Sequence, residues 1–363
     1  MKPDKIVKKQ ILNLPVYETG KPIEYVAREF GLDPDGILKM ASNENPLGAS
    51  PKAVEAVKKR LGTLNYYPDG GCYELRQKLS KKWGLAPAQF AFGNGSNEIL
   101  EFIAQCFVGD GDETVFGAQS FIVYKLATIF MGGVCRSVPM PGLKYDLDAM
   151  RDAVTDRTKV VFMTNPNNPT GCVVPQAEVE NFVRSLPEHV IFCYDEAYTE
   201  YQENPVDLRN LIAEGRNVIC LRTFSKIYGL AGLRIGYSYS SEEIAGYINR
   251  AREPFNVNSL AQAAALAALD DDDFVRRSRE VNNAGRKQFV EAFEKLGLEY
   301  FSDGANFVMV KVADAPQKFV EMQKRGVIVR PNVGYGLPDW LRITIGKPEQ
   351  NERCIGELAK LLK

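Results

Sequence analysis

The chain predicts an α/β protein, with a mostly parallel central sheet flanked by helices and a second, smaller α/β domain. Three observations predict it. Short β-branched runs recur between helical stretches, at Lys159 to Met163, Val190 to Tyr194, Val218 to Arg222 and Leu233 to Tyr237, the texture of central strands. These runs are apolar almost throughout rather than alternating, which marks strands covered on both faces. Beyond about residue 270 a long charged helical stretch leads to three further strand candidates, Asn306 to Lys311, Val327 to Arg330 and Leu341 to Ile345.

At 363 residues, 45% hydrophobic and 25% charged, the chain can bury one large core or divide into two domains. No Gly-Pro-rich linker separates the parts, so they should pack tightly. Lys+Arg 45 against Asp+Glu 46 leaves a net charge of −1. No basic field would then recruit nucleic acid or an anionic membrane, and a small-molecule partner is expected. The seven cysteines are odd in number and lack C-x-x-C spacing, which argues against a disulfide framework or zinc site. Cys193 and Cys220 read as packing residues in apolar runs. A reducing cytoplasm is the expected compartment. Charges in Ile6-Val7-Lys8-Lys9-Gln10 break any apolar stretch, so no signal peptide is expected to begin here. Nothing approaches the roughly 20 apolar residues of a membrane span. Asp270 to Asp273 reads as a solvated loop or helix N-terminus. The single histidine, His189, reads as a surface residue, which leaves triad hydrolases and histidine-rich metal sites poorly supplied.

Polar residues follow three of the apolar runs directly: Thr164-Asn165, Asp195-Glu196, and Thr223 to Lys226. Ligands in open α/β sheets bind at the carboxyl ends of strands, so these segments should converge. In Arg222-Thr223-Phe224-Ser225-Lys226 the lysine follows a strand and two hydroxyl residues, with Arg234 eight positions on and Asp195 thirty-one before. That set answers the needs of pyridoxal 5'-phosphate: a primary amine for its aldehyde, hydroxyls and a guanidinium for its phosphate, and a carboxylate for its ring nitrogen. Gly93-Asn94-Gly95-Ser96-Asn97-Glu98 precedes an apolar helix, so Ser96 and Asn97 fall where free backbone N–H groups would face an anion. A plain glycine turn with a serine cap would read the same way.

Tyr228 to Tyr237 carries three glycines and Arg234 within ten residues. With this stretch the chain resembles the fold-type I pyridoxal-phosphate-dependent aminotransferases, class II group. The resemblance implies that Lys226 attaches the cofactor, Asp195 pairs with its ring nitrogen, and Tyr198 and Asn168 bond its phenolate oxygen. Asn168 lies in Asn165-Pro166-Asn167-Asn168-Pro169-Thr170-Gly171, whose Asn168-Pro169 bond is a candidate for the cis isomer. It implies that Ser96, Asn97, Thr223, Ser225 and Arg234 hold the phosphate and that Phe121 stacks on the ring. An ordinary core phenylalanine would fit Phe121 as well. Tyr67, in Tyr66-Tyr67-Pro68-Asp69-Gly70, matches a tyrosine that touches the phosphate across a dimer interface, which implies a homodimer.

The match runs almost end to end, through Ala41 to Gly48, Gly326 to Pro331 and Gly334 to Pro338. Within the class it is similar to the histidinol-phosphate aminotransferase family. The implied activity moves the amino group of L-histidinol phosphate to 2-oxoglutarate, giving imidazole acetol phosphate and glutamate in histidine biosynthesis. An N-terminal arm or lid over 1–44 would join the small domain, with a large cofactor-binding domain over 45–269 and a small domain over 270–363. Tyr17, Asn43, Arg330 and Arg342 are the implied substrate residues. A charge inside the apolar strand around Arg342 is costly without a partner. One departure stands out: Phe116 to Phe121 lacks the proline that commonly precedes the stacking aromatic. Related enzymes acting on phenylalanine or tyrosine share this scaffold and form the first alternative. A noncatalytic cofactor-binding regulator is the second, against which Lys226, Asp195 and Arg234 together speak. A carbon–sulfur lyase or decarboxylase is a third.

Overall fold

The protein is described by a computed structural model covering residues 3–12, 14–16 and 20–362. Its strands, in chain order, are β1 (Leu38–Lys39), β2 (Phe90–Gly93), β3 (Glu113–Gly117), β4 (Val134–Val138), β5 (Thr158–Thr164), β6 (Ile191–Asp195), β7 (Val218–Thr223), β8 (Gly236–Tyr239), β9 (Tyr300–Phe301), β10 (Phe307–Lys311), β11 (Val327–Ile328), β12 (Arg330–Asn332) and β13 (Leu337–Thr344). Seven of them form the main sheet in the order β2-β8-β7-β6-β5-β3-β4. Pairs from β7 through to β4 are parallel, while β8 runs antiparallel to both its neighbours.

Successive side chains on β5, β6 and β7 enter different cores. Val161, Met163, Phe192, Tyr194 and Cys220 pack beneath the helices Tyr73–Trp83, Gln176–Ser185 and Ser259–Ala268. Val160, Phe162, Ile191, Cys193 and Ile219 pack beneath Ser96–Phe107, Val123–Phe130 and Glu242–Ala251. Burial on both faces is the condition that the unbroken apolar runs answer. The same period of two decides where the carboxylates at the end of β6 and just after it are sent. Asp195 falls on the side of Val123–Phe130, and Glu196 falls on the other. There the Glu196 carboxylate is wholly buried, accepting a bond of 2.6 Å from Arg222 Nε and one of 3.1 Å from Tyr239 Oη.

A four-stranded antiparallel sheet, β12-β13-β10-β9, packs against Asp272–Lys295, Ala315–Lys324 and Pro348–Lys360. β1, far earlier in the chain, pairs in parallel with β11. No helix among the described residues is long and apolar enough to cross a membrane.

The strand expected over Leu233 to Tyr237 begins only at Gly236. Ala231–Leu233 forms a 3-10 turn and Arg234 takes a left-handed φ of 57°, which turns the chain before pairing starts. The run Val327 to Arg330 is likewise divided: β11 pairs with β1, whereas β12 pairs with β13. Asp270 to Asp273 does open a helix, at Asp272, but Asp271 is buried and accepts a 2.5 Å bond from Ser50 Oγ. Cys193 and Cys220 are buried and His189 is exposed. Both Asn165-Pro166 and Asn168-Pro169 are cis.

Gly236 lets β8 pass the start of helix Ser96–Phe107. A Cβ there would lie 2.5 Å from Ser96 N and 2.8 Å from Arg222 O, both rigid backbone atoms. Gly236→Ala should therefore cost about 1–3 kcal/mol of stability in denaturant unfolding. An unchanged midpoint would show that this approach is not tight.

Candidate active site

The carboxyl ends of β5, β6 and β7 open into a cavity of about 310 Å³. Sheet register sets its floor, since Thr164 pairs with Asp195, Asp195 with Leu221, and Thr223 with Gly236. Thr164, Asp195 and Thr223 all line it. The convergence expected of the three polar strand ends is therefore what the register produces.

Lys226, three residues beyond β7, is half-buried and donates to Ser42 O at 3.1 Å. Its Nζ lies 5.8 Å from the centroid of the Tyr198 ring. Burial lowers its pKa to about 8, helped by the Arg342 and Arg234 cations and opposed by Glu44 and Asp195. Near neutrality a useful fraction of this amine is thus unprotonated, as a nucleophile or base requires.

Asp195 is only 3% exposed. Burial raises its carboxyl to about 6, against hydrogen bonds from Tyr124 and Ala197 and the charge of Lys226. Tyr124 Oη donates to Oδ2 and Ala197 N to Oδ1, both at 3.1 Å. A cationic ring nitrogen held in the cavity would offset that desolvation. Tyr198 is buried and its phenol is pushed up to about 12, chiefly by burial. Asn43 Nδ2 donates to Tyr198 Oη at 2.9 Å, and the Tyr198 ring stands edge-on to Phe307.

Also at the cavity, helix Ser96–Phe107 starts after Gly95, whose φ is 89°. A side chain at Gly95 would collide with the Arg234 guanidinium, so glycine here clears the space between a helix N-terminus and a cation. Free backbone donors, the helix dipole and a guanidinium make an anion cradle. Ser225 N donates to Thr223 Oγ1 at 3.0 Å, holding both hydroxyl residues in one turn beside it. An amine, a buried carboxylate and an anion cradle in one space fit a cationic ring that carries an aldehyde and a phosphate.

Ser96, Asn97, Phe121, Asn168, Asp195, Tyr198, Thr223, Ser225, Lys226 and Arg234 all line this cavity. Four other expected residues lie elsewhere. Asn43 is fully buried behind Tyr198 at a left-handed φ of 55°, and its neighbours Ser42 and Glu44 line the cavity instead. Arg342 donates to Asn168 Oδ1, and through Nη2 to Ala41 O at 2.8 Å, so it borders the cavity through Asn168. Arg330 lines an adjacent cavity of about 570 Å³ with Gly20, Lys21 and Tyr335. Tyr67 is 83% exposed in the single chain, stacked on Phe255 at 4.8 Å. Tyr17 falls outside the described residues. Sequence reasoning missed Ser42, Glu44 and Tyr124. For Tyr124 only the fold could bring it to Asp195.

The family model for aminotransferase class I and II matches residues 35–358. The histidinol-phosphate aminotransferase of Akkermansia muciniphila is 46% identical over 353 residues, 97% of each chain. Histidinol-phosphate aminotransferase 1 of Cupriavidus pinatubonensis is 47% identical over 353 residues, covering 96% of this chain and 94% of that one. A crystal structure of histidinol-phosphate aminotransferase from Sinorhizobium meliloti in complex with pyridoxal-5'-phosphate aligns with a TM-score of 0.89 at 27% identity, over 98% of this chain and 97% of that one.

The raised pKa of Asp195 has a stability consequence with a definite sign. The folded state holds this proton up to about pH 6, well above the ordinary value of 3.8, so ionisation destabilises the ligand-free fold. That penalty is absent below pH 3.8 and complete above pH 6. Ligand-free Asp195→Asn should be more stable than wild type at pH 8 by on the order of 3 kcal/mol, with the gap closing toward pH 4. Denaturant unfolding across that range measures it; a less stable variant at pH 8 would contradict the desolvation argument.

Proposed function

Because the chain belongs to the class I and II aminotransferases, we propose that it is a pyridoxal-phosphate-dependent histidinol-phosphate aminotransferase. It moves the amino group of L-histidinol phosphate to 2-oxoglutarate, giving imidazole acetol phosphate and glutamate in histidine biosynthesis. The observation that carries the reading is the meeting of the Lys226 amine, the buried Asp195 carboxylate and the Arg234 cradle in one cavity of about 310 Å³. Likeness to named relatives over 94–97% of both chains supports the substrate assignment.

When bound, the cofactor's ring serves as the sink for the electron pair released at the substrate α-carbon, and its aldehyde carbon carries the amino group between the two substrates. Lys226 would hold the cofactor and, as a free amine, would take the α-proton on Nζ; a pKa near 8 suits a base working near neutrality. Asp195 would keep a proton on the ring nitrogen, Tyr198 and Asn168 would hold the ring's phenolate oxygen, and Phe121 would pack on the ring. Ser96, Asn97, Thr223, Ser225 and Arg234 would hold the phosphate. Arg342 and Arg330 meet the substrate anions, a phosphate in one half-reaction and carboxylates in the other, for which guanidinium geometry suits both. Asn43 and Tyr17 are assigned to substrate by resemblance; for Asn43, its bond to the Tyr198 hydroxyl supports an indirect part.

The same reading divides the chain into an arm over 1–44, a large domain over 45–269 and a small domain over 270–363. The pairing of β1 with β11 supports an arm that joins the small domain. It also makes the working enzyme a cytoplasmic homodimer in which Tyr67 reaches the neighbouring subunit's phosphate. The exposure of Tyr67, Tyr66 and Leu64 supports a face that a second copy covers.

Two measurements test the proposal. With 2-oxoglutarate as acceptor, histidinol phosphate should exceed phenylalanine and tyrosine by at least about tenfold in kcat/KM, a gap of about 1.4 kcal/mol. Aromatic donors equal to it would favour the aromatic aminotransferase instead. Lys226→Ala should lose the visible cofactor band and at least about a hundredfold in turnover; a variant that kept both would remove Lys226 from the chemistry.

A further inference from the structure

We infer that Tyr124 is a positioning residue for this reaction, its hydroxyl fixing the Asp195 carboxylate while its ring fixes Phe121. The inference deepens the function proposed above and rests on it, since Asp195 and Phe121 are the groups assigned there to the cofactor's nitrogen and ring face.

Tyr124 is wholly buried in the second residue of helix Val123–Phe130. Its Oη donates to Asp195 Oδ2 at 3.1 Å. The ring lies parallel to Phe162 of β5, centroids 4.9 Å apart and planes 4° off. It stands edge-on to Phe121 at 5.8 Å and 86°. The backbone is tied as well, because Thr128 Oγ1 donates to Tyr124 O at 2.7 Å and shares a 2.8 Å bond with Thr114 on β3. A side chain pinned in this way by sheet and helix transmits a fixed position to whatever it touches. It touches two groups of the site while lining none of the cavity itself.

Packing alone would be served by phenylalanine, which has the same shape. The hydroxyl therefore needs its own account, and Asp195 is the partner it has. With Oδ1 held by Ala197 N and Oδ2 by Tyr124 Oη, the carboxylate plane is set from both ends. The remaining lone pairs are then directed by geometry rather than by torsional freedom. The phenol also favours the ionised form of a carboxylate that burial pushes toward protonation. Charges and titrating groups facing this pair come from several elements: Lys226 beyond β7, Tyr145 and Tyr198 from neighbouring loops, and Cys193 on β6 itself. Among these, Tyr124 alone has a side chain bonded to the carboxylate.

The test is Tyr124→Phe, alone and combined with Asp195→Asn, read on two properties. In cofactor-free protein, the pH dependence of the stability gap between each protein and its Asp195→Asn partner reports the Asp195 titration. Its midpoint should rise by about one to two pH units when the hydroxyl is removed. In the loaded enzyme, kcat should fall about 10- to 100-fold with KM for the amino donor changed less than about threefold, and the loss should disappear in the Asp195→Asn background. An unmoved midpoint overturns the inference, and so does an equal activity loss with and without Asp195. Failure of the function itself would look different: the wild type would then lack either the visible cofactor band or the preference for histidinol phosphate, while the cofactor-free titration would still decide whether Tyr124 holds Asp195.

Discussion

Burial of an ionisable amine and an ionisable carboxylate in one cavity, at the ends of neighbouring parallel strands, is the constraint on which the site depends. Neither group would sit there for stability. Desolvation moves Lys226 down to about 8 and Asp195 up to about 6, each away from its charged form. Each shift is a cost that the fold must offset elsewhere, through the apolar burial on both faces of the sheet. A cofactor with a cationic nitrogen and an aldehyde converts both costs into interactions, which is why such a pair reads as a site and not as a structural ion pair.

Much of the remaining architecture can be understood as what holds that pair. Period-two alternation sends Asp195 toward the helix carrying Tyr124 and sends Glu196 to the opposite core. There Glu196 pairs with Arg222, which is stacked 4.2 Å over Trp83. Two adjacent carboxylates thus do different work: one faces the cavity, and the other joins β6 to the strand that leads to Lys226. Glycines at 95 and 236 bring a helix N-terminus, the Arg234 guanidinium and β8 closer together than any side chain would allow. The left-handed turn at Arg234 delays β8 until its guanidinium has been aimed at that helix.

The parts legible in the sequence were those that local chemistry dictates. Unbroken apolar runs gave β5, β6 and β7, and the polar residues just after them marked the cavity. Signals that depend on pairing were not legible. Leu233 to Tyr237 has strand composition, yet the chain first turns at Arg234, and nothing in composition reports a left-handed φ at an arginine. Val327 to Arg330 reads as one strand because the sequence does not reveal that β1, nearly three hundred residues earlier, claims its first half. Tyr124 escaped for the same reason: it is seventy-one residues from Asp195 and meets it only once β5, β6 and their helix have packed. Asn43 was expected at the substrate, but residues 42 and 44 line the cavity while its own side chain bonds Tyr198.

The central claim is that one amine in this chain holds the cofactor. Borohydride reduction of the purified, cofactor-loaded enzyme makes that attachment permanent, and peptide mapping by mass spectrometry then locates it. The account predicts a single phosphopyridoxyl adduct on the peptide containing Lys226. An adduct on a different lysine, or none at all, would contradict it.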